Sequence, residues 1–117
     1  MLDTARLLVM VMEYRIVFDC PDKKSVIKRL LETASGAGAG GFGNYDKCAL
    51  VTRGYGTWRS LAGASPHIGE IGKVSKVKSV RIEMSCPKER VKSVCRAIRD
   101  AHPYEEPVIY YFKAEYA

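Results

Sequence analysis

Residues able to do chemistry concentrate in His102-Pro103-Tyr104-Glu105-Glu106-Pro107, where two prolines stiffen a hexapeptide holding an imidazole, a phenol and two carboxylates. Nitrogen and oxygen donors of these kinds can hold a divalent metal, and paired carboxylates serve acid–base chemistry. Adjacent residues of an extended chain point to opposite sides, so Glu105 and Glu106 do not make a joint dyad. The structural alternative is that His102 caps a helix C-terminus, where positive charge is favoured, and that one glutamate pairs with a lysine or arginine. The other histidine, His67, lies in Ser65-Pro66-His67-Ile68-Gly69. If its loop folds over the end of a sheet, His67, His102 and Glu105 would make an open metal site, whose metal preference the spacing leaves open.

Other candidates are weaker. Thr57-Trp58-Arg59 carries the only tryptophan, which marks a binding surface if exposed and anchors its loop if buried. Cys48 follows a glycine-rich stretch, but no neighbour in sequence would activate it. The run Gly36-Ala37-Gly38-Ala39-Gly40-Gly41 formally fits G-x-G-x-x-G. The dinucleotide fingerprint, however, follows a strand and opens a helix. Here a helix pattern precedes and a strand follows, so the run reads as a tight, close-packed loop with several positive-φ positions. Gly72-Lys73 lacks the remainder of a phosphate loop, and no Ser–His–Asp or Cys–His signature is present.

The elements that must position these residues are legible from periodicity. Tyr14 to Cys20 alternates as a strand, with Tyr14, Ile16 and Phe18 on one side. Pro21 ends it, Asp22 caps or begins a helix, and Val26, Ile27, Leu30, Leu31 and Ala34 draw one apolar stripe up to Gly36. Lys47 to Arg53 reads as a second strand. Gly54 to Gly72 reads as a long, turn-rich loop with room for short strand pieces, a length that is often functional. Val77 to Met84 alternates again. Ser85-Cys86-Pro87 opens a second amphipathic helix through Val91, Val94, Cys95, Ile98 and Ala101, which His102-Pro103 terminates. Val108 to Phe112 is the last strand. This order predicts an α+β, ferredoxin-like βαββαβ sandwich, an antiparallel sheet with two helices on one face.

Composition narrows the class. At 117 residues and 47% apolar the chain is one globular domain, and disorder or low complexity is excluded. The reading assigns residues 1–12 to an N-terminal extension and 13–117 to the single domain. Leu7 to Met12 is too short for a membrane span and lacks a cleavage site, so neither a signal nor a membrane segment is expected. Four scattered cysteines point to reduced thiols and a cytoplasmic location. Of the net charge of +6, residues 73–99 carry +7, nine basic against two acidic side chains, and the rest of the chain is near neutral at −1. Without interleaved aromatics or a recognition-helix pattern, this stripe reads as solvated faces and not as a nucleic-acid surface.

Several motifs then recur in order: Gly38-Ala39-Gly40, Gly43-Asn44-Tyr45-Asp46 with Cys48, and Gly54-x-Gly56-Thr57-Trp58. Gly63-Ala64-x-Pro66-x-Ile68-Gly69, Gly72, Val80-Arg81-Ile82-Glu83 and the His102–Pro107 turn complete the series. Over about residues 13–113 the chain resembles the domain inserted in YqfO-type members of the Nif-three-like family, also called type-two GTP cyclohydrolase I. That domain is similar in fold to CutA and PII proteins, which commonly form trimers. The family's dinuclear metal site lies in flanking domains with no counterpart here, so its hydrolase activity is not implied. Trp58 and His67 stand where the family usually has phenylalanine.

The resemblance implies a non-catalytic, homo-oligomeric binding or regulatory module, a trimer by likeness, taking a small-molecule or divalent-metal ligand. Asn44, Tyr45, Thr57, His102, Tyr104 and Glu106 are expected to line that site where the glycine loop, the long loop and the turn converge. The aromatic last strand is expected at a subunit interface. The competing expectation is a small metal-dependent hydrolase of a nucleotide or phosphorylated compound, built on His67, His102, Glu105, Glu106 and Cys48.

Overall fold

The computed structural model describes residues 12–117. The expectation of an N-terminal extension falls on residues outside these, apart from Met12, whose backbone opens the first strand. Strand β1 (Met12–Pro21) leads to helix α1 (Lys24–Ala37), then β2 (Leu50–Arg59), β3 (Val74–Cys86), a 3-10 turn (Lys88–Arg90), helix α2 (Val91–Ala101) and β4 (Ile109–Glu115). The sheet order is β2-β3-β1-β4 and every pairing is antiparallel. The predicted ferredoxin-like sandwich is therefore the fold.

Its core is one face of the two central strands. The register pairs Ile16 with Met84, Phe18 with Ile82 and Cys20 with Val80. All six are buried against Leu30 and Ala34 of α1 and Val94, Cys95 and Ile98 of α2. The side-chain period of two sends Arg15, Val17 and Asp19 to the opposite, helix-free face.

Three boundaries differ from the sequence reading. Gly36 does not stop α1, which ends instead at Gly38. There φ is 123°, and the N–H groups of Gly38 and Ala39 close back on Ser35 and Ala34 at 3.1 and 3.0 Å. This is the left-handed closure that favours glycine. Asp22 does not cap the helix; its carboxylate accepts from Arg53 Nε at 3.3 Å. The stretch Gly54–Arg59, expected within a loop, is strand throughout, paired from Gly54↔Ser79 to Arg59↔Val74. β1 pairs with β3 only from Ser79 to Cys86, so Val74–Lys78 and Tyr55–Arg59 run on as a two-stranded ribbon beyond the sheet.

The glycine stretch is indeed a tight loop. Gly40 has a φ of 87°, donates to Ser85 O at 2.7 Å and accepts from Cys48 N–H at 2.8 Å. A β-carbon there would stand 3.0 Å from the Cys48 backbone and from Met84 Cε. Gly36, inside α1, has nothing near its missing β-carbon. Urea denaturation should separate the two: Gly36→Ala stabilises by about 0.5–1 kcal/mol, whereas Gly40→Ala destabilises by about 1–3 kcal/mol.

Candidate functional site

The site sits where the two-stranded ribbon and its loop meet the turn leaving α2. His102 follows the last helical residue with an extended backbone, and its ring turns back towards the end of β1. Nδ1 accepts from the Tyr104 N–H at 3.1 Å and Nε2 lies 2.7 Å from the Asp19 carbonyl. One partner donates and the other accepts, so the ring is the neutral tautomer with its proton on Nε2. Only 8% of the residue is exposed. Burial is the main cause that holds its pKa below the ordinary histidine value, against the opposing bond to Asp19. His102 thus latches α2 to β1 rather than capping a helix as a cation.

Tyr104 is the centre of a ring cluster. Its ring lies 4.9 Å from His102, 5.6 Å from Trp58 and 6.3 Å from His67, all tilted. The phenol oxygen is buried without a hydrogen-bond partner among the described residues. Burial, then the neighbouring Asp19 and Cys20, pushes its pKa up. The tryptophan therefore anchors the ribbon to the turn. Glu105 makes the other tie, with Ser65 N–H donating to both carboxylate oxygens at 3.0 and 3.2 Å. These contacts fold the 60–73 loop over the sheet end, as the metal-site expectation required.

The expected ligand set nevertheless does not assemble. Both nitrogens of His102 are engaged and the Glu105 carboxylate holds a backbone amide. Among the described residues no three His, Cys, Asp or Glu side chains gather to hold a metal ion. The residues at hand therefore do not fit a metal centre at His67, His102 and Glu105. Thr57 and Glu106 lie exposed at the same end, Thr57 on the opposite side of β2 from Trp58.

The glycine loop does not converge with them. Asn44 and Tyr45 belong to a tight turn closed by the reciprocal Phe42–Tyr45 backbone bonds of 2.8 and 2.9 Å. That turn packs at the far end of the sheet, where Phe42 meets Tyr116 edge-on at 5.2 Å. Tyr116 in turn shares a hydroxyl hydrogen bond with Ser85 and reaches Glu13 Oε2 at 3.4 Å. Burial raises the pKa of Glu13. The Asp19 carbonyl and the Ser65 amide, which complete the site, carry no sequence signal because any residue supplies a backbone group.

The fold is that of a CutA-like α+β domain. The CutA structure from Xylella fastidiosa superposes with a TM-score of 0.58 at 17% identity, over 90% of this chain and 86% of that one. The sequence relationship is more specific. A GTP cyclohydrolase 1 type 2 homolog of Bacillus subtilis is 46% identical over 70 residues, 60% of this chain and 19% of that protein. A Bacillus cereus protein related to NIF3 superposes with a TM-score of 0.73 at 28% identity, over 90% of this chain and 27% of its own. No protein-family model matches. The chain is homologous to a domain-sized part of these Nif3-like proteins, and it spans about a fifth to a quarter of the length of the curated relatives.

Two measurements test the site. His102 lies below its unfolded pKa of about 6.5, so the unfolded chain binds the extra proton first and stability falls as pH drops through that value. Denaturation between pH 5 and 7.5 should show that slope in the wild type. In His102→Gln the slope is reduced, and about 1–3 kcal/mol of stability is lost at pH 7.5 as the Tyr104 N–H and Asp19 carbonyl lose their fitted partner. Separately, Glu105→Ala should raise hydrogen exchange at Ser65 and its loop, leaving Phe18 and Ile82 amides protected.

Proposed function

We propose that the chain is a non-catalytic binding or regulatory module that works as a homo-oligomer, a trimer by its resemblance. The observation that carries this is the helix-free face of the sheet. One transverse row across it runs Leu50, Glu83, Val17 and Tyr110, with Phe112 in the next row. Leu50, Tyr110 and Phe112 are 55, 49 and 47% exposed. A solvated sheet face normally carries polar side chains. Apolar and aromatic residues spread among charged ones are the composition of a subunit interface. On that face Arg15 and Arg81 flank Glu83 at 4.0 and 3.7 Å and supply a polar frame for it.

Packed on this face, copies would bring each ribbon beside a neighbour and leave the His102–Pro107 turn at the assembly's end. A small ligand there would meet His67, Tyr104 and Glu106. The non-catalytic reading is supported by His102 and Glu105 being spent on structural bonds. Native mass spectrometry of wild type should give an oligomer. Tyr110→Glu combined with Phe112→Glu should give a folded monomer by circular dichroism, since one buried charge without a partner costs several kcal/mol. A wild-type monomer at micromolar concentration sinks this reading.

A further inference from the structure

On the helix side, away from the face and turn just described, a groove of about 430 Å³ runs between α1 and β2. Ile27, Leu31 and Val51 make its apolar floor, and four cations (Lys24, Lys28, Lys47 and Arg53) stand around it against one carboxylate, Glu32. Arg53 is paired with Asp22. Lys24, Lys28 and Lys47 form no ion pair among the described residues.

Lys47 is there at a cost. Its φ of 55° makes it the one described non-glycine residue in the left-handed region, where a β-carbon costs about 1–2 kcal/mol. The clamp between Gly40 and the next residue, Cys48, holds this conformation. β2 also lies at the edge of the sheet, and among the described residues no other strand pairs with its outer side. An extended chain added there would send alternate side chains into the groove, with backbone bonds supplying affinity.

We propose that this groove docks an extended acidic segment of a partner protein as a fifth strand beside β2. Its groove-facing side chains would alternate between aliphatic groups on Ile27, Leu31 and Val51 and carboxylates on Lys24, Lys28 and Lys47. A second copy is the poorer occupant. The other sheet edge, β4, carries one lysine and one glutamate, and the chain as a whole is +6. The aliphatic floor offers no ring to stack a nucleobase. The proposal does not depend on self-association through the helix-free face.

Fluorescence anisotropy with a labelled peptide repeating Glu-Thr-Val-Thr tests it. Saturable, salt-sensitive binding is expected, and Lys28→Glu with Lys47→Glu should weaken it at least about tenfold. The control Lys88→Glu with Lys92→Glu makes the same charge change elsewhere and should stay within about twofold. N-methylating alternate amides of the peptide should abolish binding by blocking strand addition. The proposal is overturned by absence of binding, by equal losses in both variant pairs, or by full binding of the methylated peptide. It is equally overturned by inorganic triphosphate displacing the peptide while the methylated form still binds, which would mark an anion surface, or by assembly of the protein itself expelling the peptide. Circular dichroism on each variant separates loss of fold from loss of binding.

Discussion

The cross-strand ladder of β1 and β3 is the constraint on which every other position depends. Ile16, Phe18 and Cys20 face Met84, Ile82 and Val80 in one register, and both helices cover that face. A slip of one residue would carry Arg15, Val17 and Asp19 into the core, so burial fixes the register strongly. With the register fixed, Asp19 ends near the exit of α2, where His102 reaches its carbonyl. The same register leaves β3 longer than β1 can cover, and the overhang becomes the ribbon that Trp58 ties to Tyr104.

Apart from the Tyr104 hydroxyl, which is buried without a partner among the described residues, the polar groups near the core follow the rule that burial demands a partner. His102 meets the rule with two backbone groups, which fix its neutral tautomer. Glu13, 4% exposed, meets it with the Tyr116 hydroxyl. Cys20 and Cys86 are buried thiols pushed up to about 11 and 12, with desolvation the largest cause in each. Such thiols are inert. His102, Glu13, Cys20 and Cys86 are thus built into the packing of the domain.

The helices leave two parts of the sheet bare. On one lie the half-exposed aromatics of β4, and on the other the edge of β2, unpaired among the described residues, beside its cationic groove. Natural sheets blunt such edges with charge or cover them. Lysines along this groove do the former, and among the described residues Lys24, Lys28 and Lys47 form no ion pair.

Periodicity by itself determined the element order, both helix stripes, the core faces of β1 and β3 and hence the ferredoxin-like topology. Residue types singled out the His102–Pro107 turn, but only the structure brought the 60–73 loop against it. The sequence misled where glycine was read as punctuation. Gly36 lies inside α1 and Gly54 and Gly56 inside β2, because a partner strand and a packed helix override weak local preference. β2 gave no alternation to find, since as an edge strand running onto a ribbon it is exposed along most of its length. Only the tertiary structure decided that Asn44 and Tyr45 lie at the opposite end from Tyr104, and that His102 spends both nitrogens on backbone. Sequence spacing encodes faces of an element, whereas the ends of a sheet and the backbone groups waiting there exist only once strands have been paired.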